Sequence, residues 1–301
     1  MCAFRAPVFN YNQHYSNTTS CDDIPSVISI IYNTIRRYNM SETNAIEQSP
    51  GSGMKVLDRN ALKYIVIVAM VIDHLAWAFP EQLGTTLCAV MHFIGRLTGP
   101  TMAFFLAEGY KYTSNKAKYQ ARLGIFALIS WLPFVFFEAT PNISENLFYL
   151  ITQSVIFTLF LGITCLRVWE SKELPLAAKI CIVVLLTCVS VIGDWPFMDV
   201  LGPFFLYVFR NNKKARYISV GLVYGILNLM TFLEKTEDGA RMYLDFAGKW
   251  YNFGILLVPV MIWLFYNGKG GKKSAFNKWF FYIFYPAHLV VLGILKLLIL
   301  K

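Results

Sequence analysis

Charge is what this sequence has least of. Only 15% of its 301 residues are Asp, Glu, Lys or Arg, whereas 56% are hydrophobic and 16% aromatic. Soluble domains carry about 25% charged residues, so this composition excludes a chain of this size wrapped in a water-facing surface. Acidic residues are scarcer than basic ones, 18 against 27. The resulting net charge of +9 does not argue for nucleic acid, because the basic residues fall in short clusters between apolar runs, where membrane topology accounts for them. No nucleic-acid partner is expected. The six cysteines (Cys2, Cys21, Cys88, Cys165, Cys181, Cys188) lack metal-ligand spacing, and Cys181 and Cys188 read as small buried hydrophobes. No H-E-x-x-H, G-x-S-x-G, Walker or C-x-x-C motif occurs, which leaves metal, serine-hydrolase and P-loop chemistry without support. A strong inverted repeat of broken helices, the mark of many secondary transporters, is also missing.

The N-terminus lacks the basic start, apolar core and small-residue cleavage site of a signal peptide. Residues 1–55 are polar and mostly aperiodic. Within them Ile24, Val27, Ile28, Ile31 and Ile35 share one helical face, followed by Arg36 and Arg37, so a surface amphipathic helix is expected near 24–38. An upstream extension of the reading frame, with Met40 or Met54 as the working start, is an equal alternative.

What is present is a series of long apolar runs. They cover roughly 61–79, 97–110, 123–138, 147–168, 175–193, 197–209, 217–233, 250–266 and 279–300. The expected fold is therefore all-α: a single-domain polytopic transmembrane bundle over residues 56–301 with about nine spans, eight to ten being defensible. The runs at 97–110 and 197–209 are short and contain Pro100 and Pro203, and Leu83–Ile94 either dips into the membrane or extends the second helix backwards. Basic residues alternate between connections. Lys55, Arg59 and Lys63 precede the first span, and later clusters occur at Lys111–Arg122, Arg167–Lys172, Arg210–Arg216 and Lys269–Lys278, whereas the intervening connections are basic-poor, except that Glu234–Lys249 carries some basic residues, offset by Glu234, Glu237, Asp238 and Asp245. The positive-inside rule then makes the N-terminus cytoplasmic and the C-terminus external in a cell membrane.

Within this apolar background, ionisable residues stand out. Asp73 and His74 interrupt the first run side by side in M-V-I-D-H-L-A-W. Such a residue at the centre of a membrane helix costs about 2.5–3.5 kcal/mol on insertion scales and marks a site by default. Adjacent helical residues point about 100° apart, so the two cannot form a dyad and each needs a partner from another helix. Arg96, near the outer end of the next span, is the expected partner of Asp73; a plain inter-helix staple is the competing reading. His288 lies near mid-membrane in F-Y-I-F-Y-P-A-H-L, where Pro286 kinks the helix, and is expected to line a cavity together with Tyr285. Glu108, Gln153 and Asp194 are further channel candidates. For Glu108 an interfacial pairing with Lys111 or Tyr112 stands beside this, for Gln153 helix packing, and for Asp194 an outer-interface position next to Trp195.

At this point the residues resemble a known family. M-x-I-D-H (Met70 to His74), G-R-L-T-G-P-T-M-A-F-F-L-A-E-G-Y-K-Y-T-S-N-K-A-K-Y-Q-A-R-L (Gly95 to Leu123), I-S-W-L-P-F (Ile129 to Phe134), G-D-W (Gly193 to Trp195) and the closing F-F-Y-I-F-Y-P-A-H-L are similar, in order over about residues 57–300, to the TraX family. That family is named for a conjugation protein that N-acetylates a pilin subunit and is similar in architecture to multi-span acyltransferases. The resemblance implies an acyltransferase, with acetyl-CoA as co-substrate and an acceptor such as a peptide N-terminus or a glycan; it does not fix the acceptor. Acetyl transfer needs a base and an oxyanion donor. His74 or His288 suits the base, or a transient acetyl carrier, and Arg96 the oxyanion or the holding of Asp73. Lys111, Lys116, Lys118 and Arg122 are expected to receive the phosphates of CoA, with topology alone as the even alternative. The competing functions are a non-enzymatic membrane assembly component and a proton-coupled exporter.

Overall fold

The computed structural model describes residues 55–141, 147–236 and 241–300. The amphipathic segment expected near 24–38 lies outside them. The described chain is mostly helical: α1 (Arg59–Ala78), α2 (Thr85–Gly95), α3 (Thr98–Tyr112), α4 (Lys116–Ala139), α5 (Val155–Glu170), α6 (Leu176–Val189), α7 (Met198–Val208), α8 (Lys213–Thr231), α9 (Leu257–Phe265) and α10 (Ala275–Ile299). Two short antiparallel strands, Leu233–Lys235 and Met242–Leu244, form a hairpin after α8. Among the described residues three helices, α1, α4 and α10, are long and apolar enough to cross a membrane.

Helix starts follow from local chemistry. Asp58 caps α1 by accepting from the Ala61 N–H at 2.9 Å, Asn115 caps α4 from Lys118 at 2.8 Å, and Asn212 caps α8 from Ala215 at 2.9 Å. Ser274 does the same for α10 from Asn277 at 3.0 Å. Each side chain satisfies a first-turn donor that has no intrahelical acceptor.

α2 folds back antiparallel onto α1 through the turn Pro80–Gly84, and α10 packs along α4. α5 joins α4 to α7, which in turn contacts α3 and α8. Within the stretch Leu83–Ile94, α2 is thus a helix of its own from Thr85 on, continued by α3. The junction residues Arg96 and Leu97 keep right-handed helical angles, so the break between α2 and α3 is shallow.

α7 explains the short run at 197–209. Its 11 residues rise only about 16 Å, roughly half a hydrocarbon core. The backbone of Asp199 lies against Gly162 midway along α5, and Tyr207 bonds Glu170 at the end of α5. Before α7 comes the non-helical segment 193–197. It is pinned at its upper end, where the Gln153 N–H donates to Ile192 O at 2.7 Å and the Asp194 N–H to Gln153 O at 2.9 Å. Irregular backbone at this depth requires a protein or cavity environment rather than lipid.

Close approach fixes the α4–α10 contact. A Cβ on Gly293 would sit 2.5 Å from the Phe136 ring. Three residues on, Lys296 donates from Nζ to Phe137 O at 2.7 Å; Pro141 has no N–H to offer that carbonyl. Gly293→Ala is expected to destabilise the protein by about 1–3 kcal/mol through overpacking. Gly221→Ala, where nothing lies within 4 Å of the new methyl, should leave the thermal midpoint in detergent unchanged.

Candidate functional site

One face of α1 lines a cavity of about 1270 Å³ along the whole helix: Arg59, Lys63, Ile67, Met70, His74 and Trp77 recur at helical spacing and all border it. From Arg59 to Trp77 the helix rises about 27 Å, close to the ~30 Å of a bilayer core. Ile65 and Val68, on the opposite face, are exposed. The cavity exceeds the roughly 300–1,000 Å³ of a single small-molecule pocket.

Its ends differ in charge. At the N-terminal end of α1 the lining holds Lys63, Arg122, Lys272, Lys273 and Lys278; at the other end it holds Asp73, Glu138 and Asp194 with Arg96. The segment 193–197 walls the acidic end. There Trp195 and Phe197 take positive φ of 53° and 62°, an unfavourable region for bulky residues that persists only where surroundings enforce it. The Trp195 N–H donates to Asp194 Oδ1 at 2.9 Å and the Phe197 N–H to Ser190 Oγ at 2.9 Å. A Cβ on Gly99 would sit 2.6 Å from the Trp195 ring, so only glycine admits the indole here.

Asp73 does not pair with Arg96. Its Oδ1 meets His92 Nδ1 at 2.8 Å, and the imidazole rests against Trp77 and Tyr251, with ring centroids at 4.5 and 5.4 Å. The reason is register: in the antiparallel α1–α2 hairpin, His92 is level with Asp73, just as Cys88 reaches Ala76 O. Arg96, one turn further, lies between two rings, its guanidinium 5.4 Å from Trp195 and 5.3 Å from Tyr251. Gly95 gives the carboxylate its place, since a Cβ there would collide with Asp73.

His74 and His288 come together, ring centroids 5.0 Å apart and nearly perpendicular at 86°. His74 Nδ1 bonds Met70 O at 2.8 Å and His288 Nδ1 bonds Phe284 O at 3.1 Å. A backbone carbonyl only accepts, so both Nδ1 atoms carry a proton, and in the neutral ring the lone pair lies on Nε2. His74 borders the cavity; His288 stands behind it, stacked on Phe284 at 5.4 Å, its buried Nε2 without a hydrogen-bond partner among the described residues.

The other expected residues divide. Gln153, Asp194, Tyr285 and Arg122 line the cavity. Glu108 lies outside its lining and accepts from Arg59 Nε at 2.9 Å and from the Tyr266 hydroxyl at 2.5 Å, so neither the channel placement nor a pairing with Lys111 or Tyr112 describes it. Lys111, Lys116 and Lys118 are likewise outside the lining. Lys116 is tied to Glu170 at 2.5 Å, Lys111 lies over the Tyr112 ring at 5.2 Å, and Lys118 is exposed. Sequence reasoning missed His92, Glu138, Lys63, Lys272 and Lys273. Treating Leu83–Ile94 as the antiparallel partner of α1 would have brought His92 opposite Asp73.

With this geometry in place, comparison with known proteins is informative. A family model described as "TraX protein" matches residues 58–296. The chain belongs to the TraX family. It is 30% identical over 240 residues to a protein of Dichelobacter nodosus named "Probable fimbrial assembly protein FimC, serogroup H1", an alignment covering 77% of this chain and 92% of that one. No solved structure matches.

The Asp73–His92 contact is testable within this TraX-family fold. A double-mutant cycle with Asp73→Asn and His92→Gln, read by thermal unfolding, should return a coupling of about 0.5–3 kcal/mol. Independent, additive losses would contradict the pairing.

Proposed function

We propose that the protein is an integral membrane acyltransferase moving acetyl from cytoplasmic acetyl-CoA to an amine acceptor that enters from the opposite side. The observation that carries this reading is one cavity joining a cationic end to an acidic end past His74. An anionic donor suits the first end and a cationic amine the second, by charge complementarity. In this reading the N-terminus and the lysine-rich end are cytoplasmic, as the positive-inside rule requires, the bundle crosses a cell membrane about nine times, and α7 together with segment 193–197 makes one crossing.

The chemistry needs few groups. The acceptor amine, in its neutral form, attacks the thioester carbonyl; a C–N bond forms, the C–S bond breaks, and the sulfur leaves as thiolate. His74 Nε2 takes the amine proton as the new bond forms and returns it to the leaving thiolate, so the products are the amide and the free thiol. His288, its ring 5.0 Å away and nearly perpendicular, backs the His74 imidazole and fixes its orientation. Asp73, Glu138 and Asp194 concentrate a cationic acceptor near the reacting centre. Arg96, held between Trp195 and Tyr251, supplies positive charge for the developing oxyanion.

Family membership supports acetylation, and the fimbrial name of the Dichelobacter relative favours a pilin or fimbrial peptide as the acceptor. The same name also favours a second reading, a non-catalytic component of pilus assembly. The two separate on one experiment: purified protein, radiolabelled acetyl-CoA and pilin-type peptides with a free N-terminus. The enzyme reading expects label transfer, and His74→Ala should cut it by about 10²–10⁴-fold, the usual contribution of a general base, in protein that still folds. Absence of transfer and of CoA release from the wild type across such peptides would sink it. Pilus assembly supported equally by wild type and His74→Ala would establish the assembly role instead.

A further inference from the structure

We infer that the glycine- and lysine-rich connection Asn267–Ser274, N-G-K-G-G-K-K-S, is a preformed seat for the phosphate groups of the nucleotide-bearing acyl donor. The inference rests on the acyltransferase reading above and assigns it a donor subsite away from Lys111, Lys116 and Lys118.

The loop is fixed rather than slack. Asn267 donates its N–H to Leu57 O at 3.0 Å, the Arg59 N–H donates to Lys269 O at 2.9 Å, and the side-chain amides of Asn60 and Asn277 both donate to Lys272 O, at 3.0 and 2.9 Å. Gly268 and Gly271 have φ of +76° and +75°, a region that glycine enters without cost. A Cβ on Gly271 would also lie 2.8 Å from Asp58 and Asn60. The chain is thus folded tightly against the start of α1, and this presents Lys272 and Lys273 to the cavity.

These lysines are not neutralised. Among the described residues neither Lys272, Lys273 nor Lys63 forms an ion pair, whereas Lys116 and Arg59 at the same end of the bundle each hold a glutamate. Lys63 reaches the cavity across the Phe281 ring at 5.1 Å, Lys278 borders it, and the Nε of Arg122 is buried there without a partner. Several cations outside any ion pair among the described residues, with no carboxylate in that part of the lining, form a site for a polyanion. Lysines of this kind bind phosphate as point charges.

Phosphate at this height has two sources, a soluble nucleotide and a phospholipid headgroup. The full-length protein in phosphatidylcholine nanodiscs separates them. Wild type should bind CoA, and Lys272→Gln/Lys273→Gln should weaken that binding by at least tenfold, raising KM for acetyl-CoA while leaving kcat unchanged. S-acetylpantetheine, which lacks every phosphate, should be used equally well by both proteins. Lys111→Gln/Lys118→Gln, removing equal charge outside the cavity, should bind CoA as the wild type does. Unchanged CoA affinity in the loop variant, or an equal loss for S-acetylpantetheine, overturns the assignment. So does a variant whose only defect is weaker retention of phosphatidylglycerol. If wild type binds neither thioester carrier, the acyltransferase reading itself fails. Inorganic pyrophosphate then tests the loop alone: binding lost in the loop variant upholds an anion seat, and no binding by wild type removes it.

Discussion

Two ionisable residues side by side on an apolar helix impose the constraint on which this fold depends. Asp73 and His74 point about 100° apart, so no single partner serves both, and neither tolerates lipid without a cost of a few kcal/mol. The chain meets the demand twice. α2 turns back along α1 and sets His92 against the carboxylate, a charge-assisted contact of the kind that contributes about 1.5–3 kcal/mol. On the neighbouring face His74 meets His288 and an internal cavity. Much else follows from keeping α1 between those two surroundings: the bare Cα of Gly95 beside Asp73, the helix α10 carrying Pro286 and His288, and the ring of Tyr251 closing over His92.

Charge is distributed along the cavity rather than around the protein. Lysines gather at one end and carboxylates at the other, with two δ-protonated imidazoles near the carboxylate end. Separating the charges by the depth of α1 lets the two ends attract opposite ligands without cancelling each other, since like and unlike charges in a low-dielectric interior interact over longer distances than in water. The irregular segment 193–197 belongs to the same design. A helix there would satisfy its own backbone; the open chain instead bonds to Gln153 and Ser190 and directs Asp194 and Trp195 into the lining.

Much of this was legible in the residues themselves. Apolar runs located the helices, and the doublet Asp73–His74 pointed to the cavity that both residues border, because the energy of an ionisable group in lipid is large enough to read without a structure. The TraX resemblance, carried by motifs spread from Met70 to Leu289, agrees with the family match over residues 58–296. Partners were less legible. Arg96 looked suited to Asp73 by charge, but helix register, which depends on the length of the turn Pro80–Gly84, delivers His92. Lys272 and Lys273 looked like topology signals, and only the folding of their loop against Leu57–Asn60 turns them toward the cavity. Lys111, Lys116 and Lys118 carry the same sequence signal and face elsewhere. Charge patterning reports which side of a membrane a segment occupies; it does not report which way the side chain turns.

The central claim is that one face of α1 is wet along its length while the other meets lipid. Single cysteines at Ile67, Met70, Ile65 and Val68, introduced after replacing Cys2, Cys21, Cys88, Cys165, Cys181 and Cys188, test it with a membrane-impermeant thiol reagent on the protein in nanodiscs. Ile67→Cys and Met70→Cys should be labelled, while Ile65→Cys and Val68→Cys should stay silent. Labelling that ignores the face, or silence at Met70→Cys, would contradict a cavity reaching Asp73 and His74.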